Sequence, residues 1–297
     1  MKCRHILVPS DFYSCSQRAL VHASALAQRF QARITLFHVV TLHDADPYNP
    51  QNPFPNLEEY YRHLEERAGG QFEQAIAERQ NDGVEVGYVV QRGFSPYEEI
   101  LRFAEDQQVD LIVMGTHGRT ALSRFFLGSV AQKIVHHAPC PVMTLRVSNE
   151  KTEPAPTYRR LLVPTDFSEQ SRKALQLAAE WVENGGMIDL LHVVEYPVHP
   201  TFFTADGEVI LDISPQLHEN AEKLLKGAAE EMPPHIQIVP ILLEGSIAKQ
   251  IIEYGEANGV DLIVMGTHGA DALSQILIGS QTNRVIRKAA CPVVTVK

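Results

Sequence analysis

The sequence lacks the features that mark several common classes of protein. It has no run of about eighteen consecutive apolar residues, the length that a membrane-spanning helix needs. Its four cysteines (Cys3, Cys15, Cys140 and Cys291) have no metal-binding or redox spacing, and we expect buried, reduced thiols. Its 26 basic and 36 acidic residues give a net charge of −10, which argues against partners that are nucleic acids or anionic membranes. The first residues lead into an apolar strand pattern rather than a signal sequence, so we expect a cytoplasmic protein.

What the sequence does contain is one glycine pattern written twice. Gly115-Thr116-His117-Gly118 is followed, after nine residues, by Gly128-Ser129. Gly266-Thr267-His268-Gly269 is followed at the same spacing by Gly279-Ser280. Each copy comes directly after Val-Asp-Leu-Ile-Val-Met, so the repetition is not an accident of composition.

The duplication extends over most of the chain. Residues 6–12 correspond to 161–167, and 36–40 correspond to 190–194. A period of about 150 residues is too long for a solenoid repeat and fits two whole domains. The stretch 148–157 is polar, carries two prolines and lacks apolar periodicity, which is typical of a linker. We therefore predict one domain over 1–147 and a second over 158–297.

Short apolar runs alternate with longer segments of helical period in both halves. Strands are predicted at 4–9, 33–40, 84–90, 110–115, 141–147, 159–164, 187–194, 236–242, 261–266 and 292–297. The helices predicted between them include 14–30, 57–80, 168–183 and 215–231, with Ser168 as an N-cap. Strands that are apolar on both faces favour an α/β fold, in which each domain is a five-stranded parallel sheet with helices on both faces.

The glycine motifs are predicted to lie where such sheets bind ligands, beyond the carboxyl ends of the strands. Gly115 ends the fourth strand, where the absence of a side chain lets the backbone turn sharply and approach an anion. Ser129 begins the next helix, whose free N–H groups can hold phosphate oxygens. Asp11 and Asp166 follow the first strand of each half, where a carboxylate can accept from a ribose hydroxyl or help to hold Mg²⁺. The alternative for both aspartates is helix capping.

Together these residues resemble the universal stress protein family, in its tandem form with two domains in one chain. The resemblance covers nearly all of both halves, and the Gly-x2-Gly-x9-Gly-Ser signature is that of the family's ATP-binding branch. It implies Rossmann-like domains that bind an adenine nucleotide, with ATP and Mg²⁺ as cofactors. The implied contacts in the first half are Pro9, Ser10, Asp11, Val39, Met114, Gly115, His117, Gly118, Gly128, Ser129 and Val130. In the second half they are Pro164, Thr165, Asp166, Val193, Met265, Gly266, His268, Gly269, Gly279, Ser280 and Gln281.

The resemblance also implies pairing of domains through the last strand of each half, 141–147 and 292–297. The two halves would then form a pseudo-dimer within the chain, which can pair further as a homodimer. Antiparallel pairing at that edge of the sheets stays open. The spacer after the first glycine pair carries Arg119 and Arg124, whereas its counterpart carries Asp271, so we expect two unequal sites.

Catalytic signatures are missing beside this binding pattern. No Gly-x-x-x-x-Gly-Lys-Ser/Thr segment is present, so no lysine is placed against a β/γ-phosphate as in P-loop enzymes. Neither a Ser-His-Asp order nor a Cys–His pair can be recognised. We predict an ATP-binding stress-response or signalling protein with no catalytic residue, at most a slow ATPase. The alternative is an ATP-independent interaction or chaperone-like protein, or one that binds another small ligand or a metal.

Overall fold

The computed structural model describes residues 3–42, 57–79, 83–116, 127–146, 156–195, 214–267 and 279–297. The chain divides into two compact units, Met1–Pro156 and Thr157–Lys297. The described elements of the first unit are β1 (His5–Pro9), α1 (Ser14–Phe30), β2 (Arg33–Thr41), α2 (Leu57–Ala77), β3 (Val86–Gly93), α3 (Pro96–Asp106), β4 (Leu111–Gly115), α4 (Ser129–His137) and β5 (Val142–Leu145). Those of the second unit are β6 (Arg160–Pro164), α5 (Glu169–Trp181), β7 (Met187–Val194), α6 (Ser214–Glu230), β8 (Gln237–Glu244), α7 (Ile247–Ala257), β9 (Leu262–Gly266), α8 (Ser280–Lys288) and β10 (Val293–Val296).

Each unit is built around a parallel sheet with the same strand order. In the first unit the order is β3-β2-β1-β4-β5, and all four pairings are parallel. In the second unit it is β8-β7-β6-β9-β10, again parallel throughout. Right-handed crossovers place α1 and α2 on one face of the first sheet and the mutually packed α3 and α4 on the other. The predicted α/β fold is confirmed.

The central strands form the core because helices cover both of their faces. Ile6, Leu7 and Val8 of β1 are completely buried, although neighbouring side chains on a strand point to opposite faces. Residues 111–113 of β4 and 161–163 of β6 are buried in the same way. Among the described residues, no helix combines the length and apolar character needed to cross a membrane.

The predicted elements differ from the observed ones mainly at their ends. β3 continues to Gly93 rather than stopping at residue 90, because its backbone stays paired with β2 as far as Thr41. β5 covers Val142–Leu145 rather than 141–147. Ser168 does cap α5, since its side chain accepts a hydrogen bond from the N–H of Ser171 at 3.2 Å. Apolar periodicity therefore locates the elements, and pairing with neighbours sets where they end.

Candidate functional site

The loop that follows β1 is a polar turn around the carboxylate of Asp11. Asp11 Oδ1 accepts hydrogen bonds from the N–H of Tyr13 at 3.1 Å and from Ser16 Oγ at 2.9 Å. Ser10 Oγ accepts from the N–H of Phe12 at 3.1 Å, and Phe12 has a positive φ of 68°. A positive φ on an aromatic residue costs energy and is characteristic of functional loops. Because both bonds of Asp11 use Oδ1, its orientation is fixed while Oδ2 can accept from a ligand.

The loop that follows β6 repeats this turn in the second unit. Asp166 Oδ1 accepts from the N–H of Ser168 at 3.1 Å and from Ser168 Oγ at 2.6 Å. Thr165 Oγ1 accepts from the N–H of Phe167 at 3.0 Å, and Phe167 has a φ of 65°. Neither aspartate is the N-cap of its helix, because that position belongs to Tyr13 in α1 and to Ser168 in α5. Both aspartates instead form turns with the backbone two residues further on.

A histidine on the next strand supports each turn from the side. His38 Nδ1 donates to the carbonyl oxygen of Ser10, and His192 Nδ1 to that of Thr165, both at 2.8 Å. Their rings pack against Phe12 at 4.7 Å and against Phe167 at 4.6 Å between centroids. These contacts give both histidines a structural role in support of the turns. In the described ranges, no three His, Cys, Asp or Glu side chains are grouped as metal ligands.

Gly115 lacks a side chain for a reason that the sequence does not reveal. A Cβ on Gly115 would overlap the Cβ of Cys15 and lie 3.1 Å from its backbone carbonyl carbon. Gly115 therefore lets the first turn of α1 pack against the end of β4. This contact places the Asp11 turn beside the end of β4, where the glycine-flanked loop begins, because Cys15 is adjacent to Ser16.

The two ends of the glycine-flanked loop meet at the sheet edge. The N–H of Gly128 donates to the carbonyl oxygen of Thr116 at 2.8 Å, and Gly279 does the same to Thr267 at 2.8 Å. Helices α4 and α8 begin at the next residue, and neither cap residue contributes a side-chain bond. The first N–H groups of such helices have no acceptor in the helix itself. Ser129, Val130 and Ser280 are thus placed to offer N–H groups to an anion.

Gln281 and its neighbour hold the glycine turn of the second unit. Gln281 Oε1 accepts from the N–H of Ala248 in the first turn of α7 at 3.3 Å. Thr282 Oγ1 donates to the carbonyl oxygen of Gly266 at 3.0 Å. The side-chain oxygen of Gln281 is therefore used within the protein, and its amide nitrogen remains the group with which it can reach a ligand.

The other predicted contacts divide into described and undescribed positions. Because β1 pairs with both β2 and β4, the carboxyl ends of these three strands are neighbours. Pro9, Val39 and Met114 belong to these strands, as Pro164, Val193 and Met265 do to β6, β7 and β9. The valines and methionines are between 5% and 9% exposed, so they can offer only small apolar surfaces. His117, Gly118, His268 and Gly269 lie outside the described residues.

Two hydroxyls in these turns were not predicted. Ser16 holds Asp11, and Ser171 Oγ accepts from Thr165 Oγ1 at 3.1 Å. Their signal is present in the sequence, because a serine occurs five residues after the aspartate in each half. It was missed because the serine lies in the first turn of α1 or α5, away from the motif at the strand end.

The comparisons with known proteins agree with one another. The model of the universal stress protein family matches residues 2–146 and again 157–297. A universal stress protein of Methanocaldococcus jannaschii is 36% identical over 146 residues, which cover 47% of this chain and 82% of that protein. One of Mycolicibacterium smegmatis is 25% identical over 312 residues, covering 98% of this chain and 96% of that protein. Among solved structures, a universal stress protein from Archaeoglobus fulgidus has a TM-score of 0.71 over 100% of this chain and 97% of its own, a likeness of fold at 21% identity.

Proposed function

The chain belongs to the universal stress protein family, and we propose that it is an ATP-binding stress protein in which nucleotide occupancy changes conformation or partner binding. One observation carries the proposal. The same aspartate turn lies at the carboxyl edge of the sheet in both units, next to a loop whose ends meet before a helix N-terminus. Such an edge is where parallel α/β sheets bind nucleotides.

Each part of the nucleotide has a group suited to it in this arrangement. The adenosine would lie against the ends of β1 and β2, where Asp11 Oδ2 can accept from a ribose hydroxyl. The phosphates would meet the N–H groups of Ser129 and Val130 at the positive end of α4. The alternative role of Asp11 and Asp166 is to help to hold Mg²⁺, which commonly needs only one or two carboxylates beside phosphate oxygens. The second unit offers Ser280 and Gln281 in the same places.

Occupancy rather than turnover is the proposed signal. A bound nucleotide would contact both the aspartate turn and the glycine-flanked loop of its unit. It would therefore change which conformations of the two loops are populated, and with them the choice of partner. In sequence, the motif places no lysine against the terminal phosphate.

Calorimetric titration of the nucleotide-free chain with Mg-ATP tests the proposal. We expect saturable binding with up to two sites per chain. A Gly118→Val, Gly269→Val double variant should lose it, because a β-branched side chain would project toward the phosphates and strain the turn. Gly87→Val is the matched control, since a Cβ at Gly87 meets no atom within 4 Å. Wild-type affinity in a folded double variant would exclude the proposed site.

The packing of Gly115 favours a second candidate function. Contact with Cys15 is enough to explain why residue 115 is a glycine. The motif can therefore serve as a structural turn in an interaction protein that does not depend on ATP. Extraction of freshly purified protein with acid separates the two functions. Nucleotide in the extract supports the first, whereas its absence together with no Mg-ATP binding supports the second.

Pairing of the two halves through their last strands is also proposed, on the sequence alone. An apolar edge strand left unpaired would invite aggregation, which a pseudo-dimer avoids. A single proteolytic cut near Glu153 should leave the fragments associated at micromolar concentration. Two independent species in sedimentation velocity after this cut would contradict the pairing.

A further inference from the structure

A cavity lies in the first unit, on the face of the sheet that α1 and α2 cover. Its volume is about 160 Å³. The floor is formed by Val8, Leu20, Leu36 and Phe72, all less than 7% exposed. The rim of the cavity is polar and exposed. It is formed by residue 17 of α1, by residues 71 and 74 of α2, and by residue 78, which follows the end of α2. We call this cavity the α1–α2 groove.

The rim of the groove carries one formal charge. Among the residues that line it, Glu78 is the one with a carboxyl group and none is basic. Glu78 Oε1 accepts a hydrogen bond from Gln74 Nε2 at 3.2 Å, which holds the carboxylate at the rim. The nearby Arg79 directs Nη1 to the carbonyl oxygen of Ala75 at 3.4 Å on its own helix. The groove therefore combines an apolar floor with a carboxylate at its mouth.

The second unit holds an ion pair at the positions that correspond to the rim of the groove. The offset between Asp11 and Asp166 aligns Gln17 with Arg172. Ala68 and Phe72 are buried residues of α2 that are four positions apart, and α6 has the same pattern in Ala221 and Leu225. When these two pairs are aligned, Glu231 falls at the position of Glu78. Arg172 Nε lies 3.7 Å from Glu231 Oε2, so a protein guanidinium pairs with this carboxylate. In the first unit the same position holds the neutral Gln17.

We propose that the α1–α2 groove binds a small organic cation with an apolar body, such as an arylalkyl ammonium. Its ammonium group takes the position that the guanidinium of Arg172 takes in the second unit. Its apolar body lies on the floor, where the rings of Phe12 and Phe72 are 4.9 Å apart between centroids. The volume suits a single ring, because a cavity of about 150 Å³ accepts benzene. Aromatic faces add attraction for a cation.

The groove shares residues with the Asp11 turn. Ser10, Phe12 and Ser16 line it, and Ser16 Oγ is the hydroxyl that bonds Asp11 Oδ1. A ligand that contacts Ser16 changes the support of the carboxylate that the proposed ATP site uses. The groove is thus an effector site, a step that rests on the proposed nucleotide function. Reciprocity requires that ATP and the cation alter each other's affinity by the same factor.

Ligand-observed NMR on the nucleotide-free full chain tests the groove itself. The probes are benzylammonium, benzyl alcohol and benzoate, which share a ring and differ in charge. We expect affinity to fall in that order. Glu78→Gln should reduce benzylammonium affinity about fivefold, the size of a partly exposed ion pair, and bring it near that of benzyl alcohol. Glu66→Gln, on the same helix but paired with the exposed Arg62, is the matched control and should leave it unchanged.

Gln17→Arg is the decisive variant because it builds the ion pair of the second unit into the first. Saturable benzylammonium binding should disappear while thermal unfolding stays unchanged. Equal binding of benzylammonium and benzoate, or wild-type binding by folded Gln17→Arg, would overturn the site. Mg-ATP titration with and without saturating benzylammonium then tests the coupling, which an unchanged ATP affinity would overturn. A chain that binds benzylammonium but no nucleotide would refute the proposed function and leave the groove in place.

Discussion

Arg160 and Asp189 form an ion pair across β6 and β7, with Nε donating to Oδ2 at 2.8 Å. The Asp189 side chain is fully buried, and Arg160 is also bonded through Nη1 to the carbonyl oxygen of Asn258 at 3.0 Å. The hydrogen bond to Asp189 raises the pKa of Arg160 above its ordinary value. The corresponding positions of the first unit hold His5 and Thr35, joined by a neutral bond of 2.8 Å. At equivalent positions, the second unit therefore has an ion pair and the first unit has a neutral hydrogen bond.

Removal of Arg160 should destabilise the second unit strongly. Arg160→Met leaves the carboxylate of Asp189 buried without its partner, which costs about 3–5 kcal/mol. The double variant Arg160→His, Asp189→Thr installs the pair of the first unit and should cost less than the single change. Urea unfolding, monitored by hydrogen exchange of the β6 and β7 amides, measures the free energy of unfolding of both variants. Arg159→Met, at an exposed neighbour, is the control, and a cost below about 0.5 kcal/mol for Arg160→Met would contradict the expectation.

His5 should make the first unit sensitive to mild acid. Burial lowers the pKa of His5, and the charge of Arg33 lowers it further, against the opposing effects of Gln107 and Asp110. The unfolded chain therefore takes up this proton at a higher pH than the folded chain does. Stability that is present at neutral pH is lost as pH falls below about 6.5, the ordinary pKa of histidine.

Thermal unfolding between pH 8 and pH 5 measures this loss. His5→Gln keeps hydrogen-bonding groups without the titration, so its unfolding temperature should fall less steeply over this range. His235→Gln, at an exposed position, should follow the wild-type curve. Identical pH dependence for His5→Gln and the wild type would show that His5 does not contribute.

Gly115→Ala should destabilise the first unit even without any ligand. The new Cβ overlaps Cys15 and meets its backbone, which cannot move as a side chain can. Overpacking of this kind typically costs about 1–3 kcal/mol. Gly70→Ala is the matched control, because a Cβ there meets no atom within 4 Å and alanine favours the helix. Equal stability of the two variants would show that β4 and α1 separate easily.

The sequence predicted the sheets better than the contacts between side chains. Residues 111–113 are apolar on both faces of their strand, which is typical of strands buried in a parallel sheet. The packing of Gly115 on Cys15 joins residues a hundred positions apart, so no local pattern could reveal it. The bond from Ala248 to Gln281 depends in the same way on how α7 meets α8. Local chemistry thus predicts elements and turns, whereas the partners of each side chain follow from tertiary packing.

The two nucleotide sites should differ in affinity because their loops differ in charge. The spacer 119–127 carries Arg119 and Arg124, whereas 270–278 carries Asp271 and no cation. These residues lie outside the described ranges, so the expectation comes from sequence. Unit charges ~8 Å apart interact by roughly 2 kcal/mol at the effective dielectric near a protein surface, before salt screening. A change of this size shifts affinity by at least about tenfold.

Three basic residues of the second unit, Lys249, Arg287 and Lys288, are poorly placed to restore the lost charge. Lys249 is exposed, and its Nζ lies 3.8 Å from Oε1 of Glu253 on the same helix. Arg287 and Lys288 belong to the last turn of α8, at the opposite end from Ser280. We therefore expect Gly269→Val, which retains the N-terminal site, to bind Mg-ATP at least about tenfold more tightly than Gly118→Val, which retains the C-terminal site. Asp271→Arg in the Gly118→Val background should reduce this difference in Mg-ATP affinity. Added salt should reduce it too, since screening weakens the attraction between the arginines and the phosphates. Equal or tighter binding by Gly118→Val would show that the spacer charges do not face the phosphates.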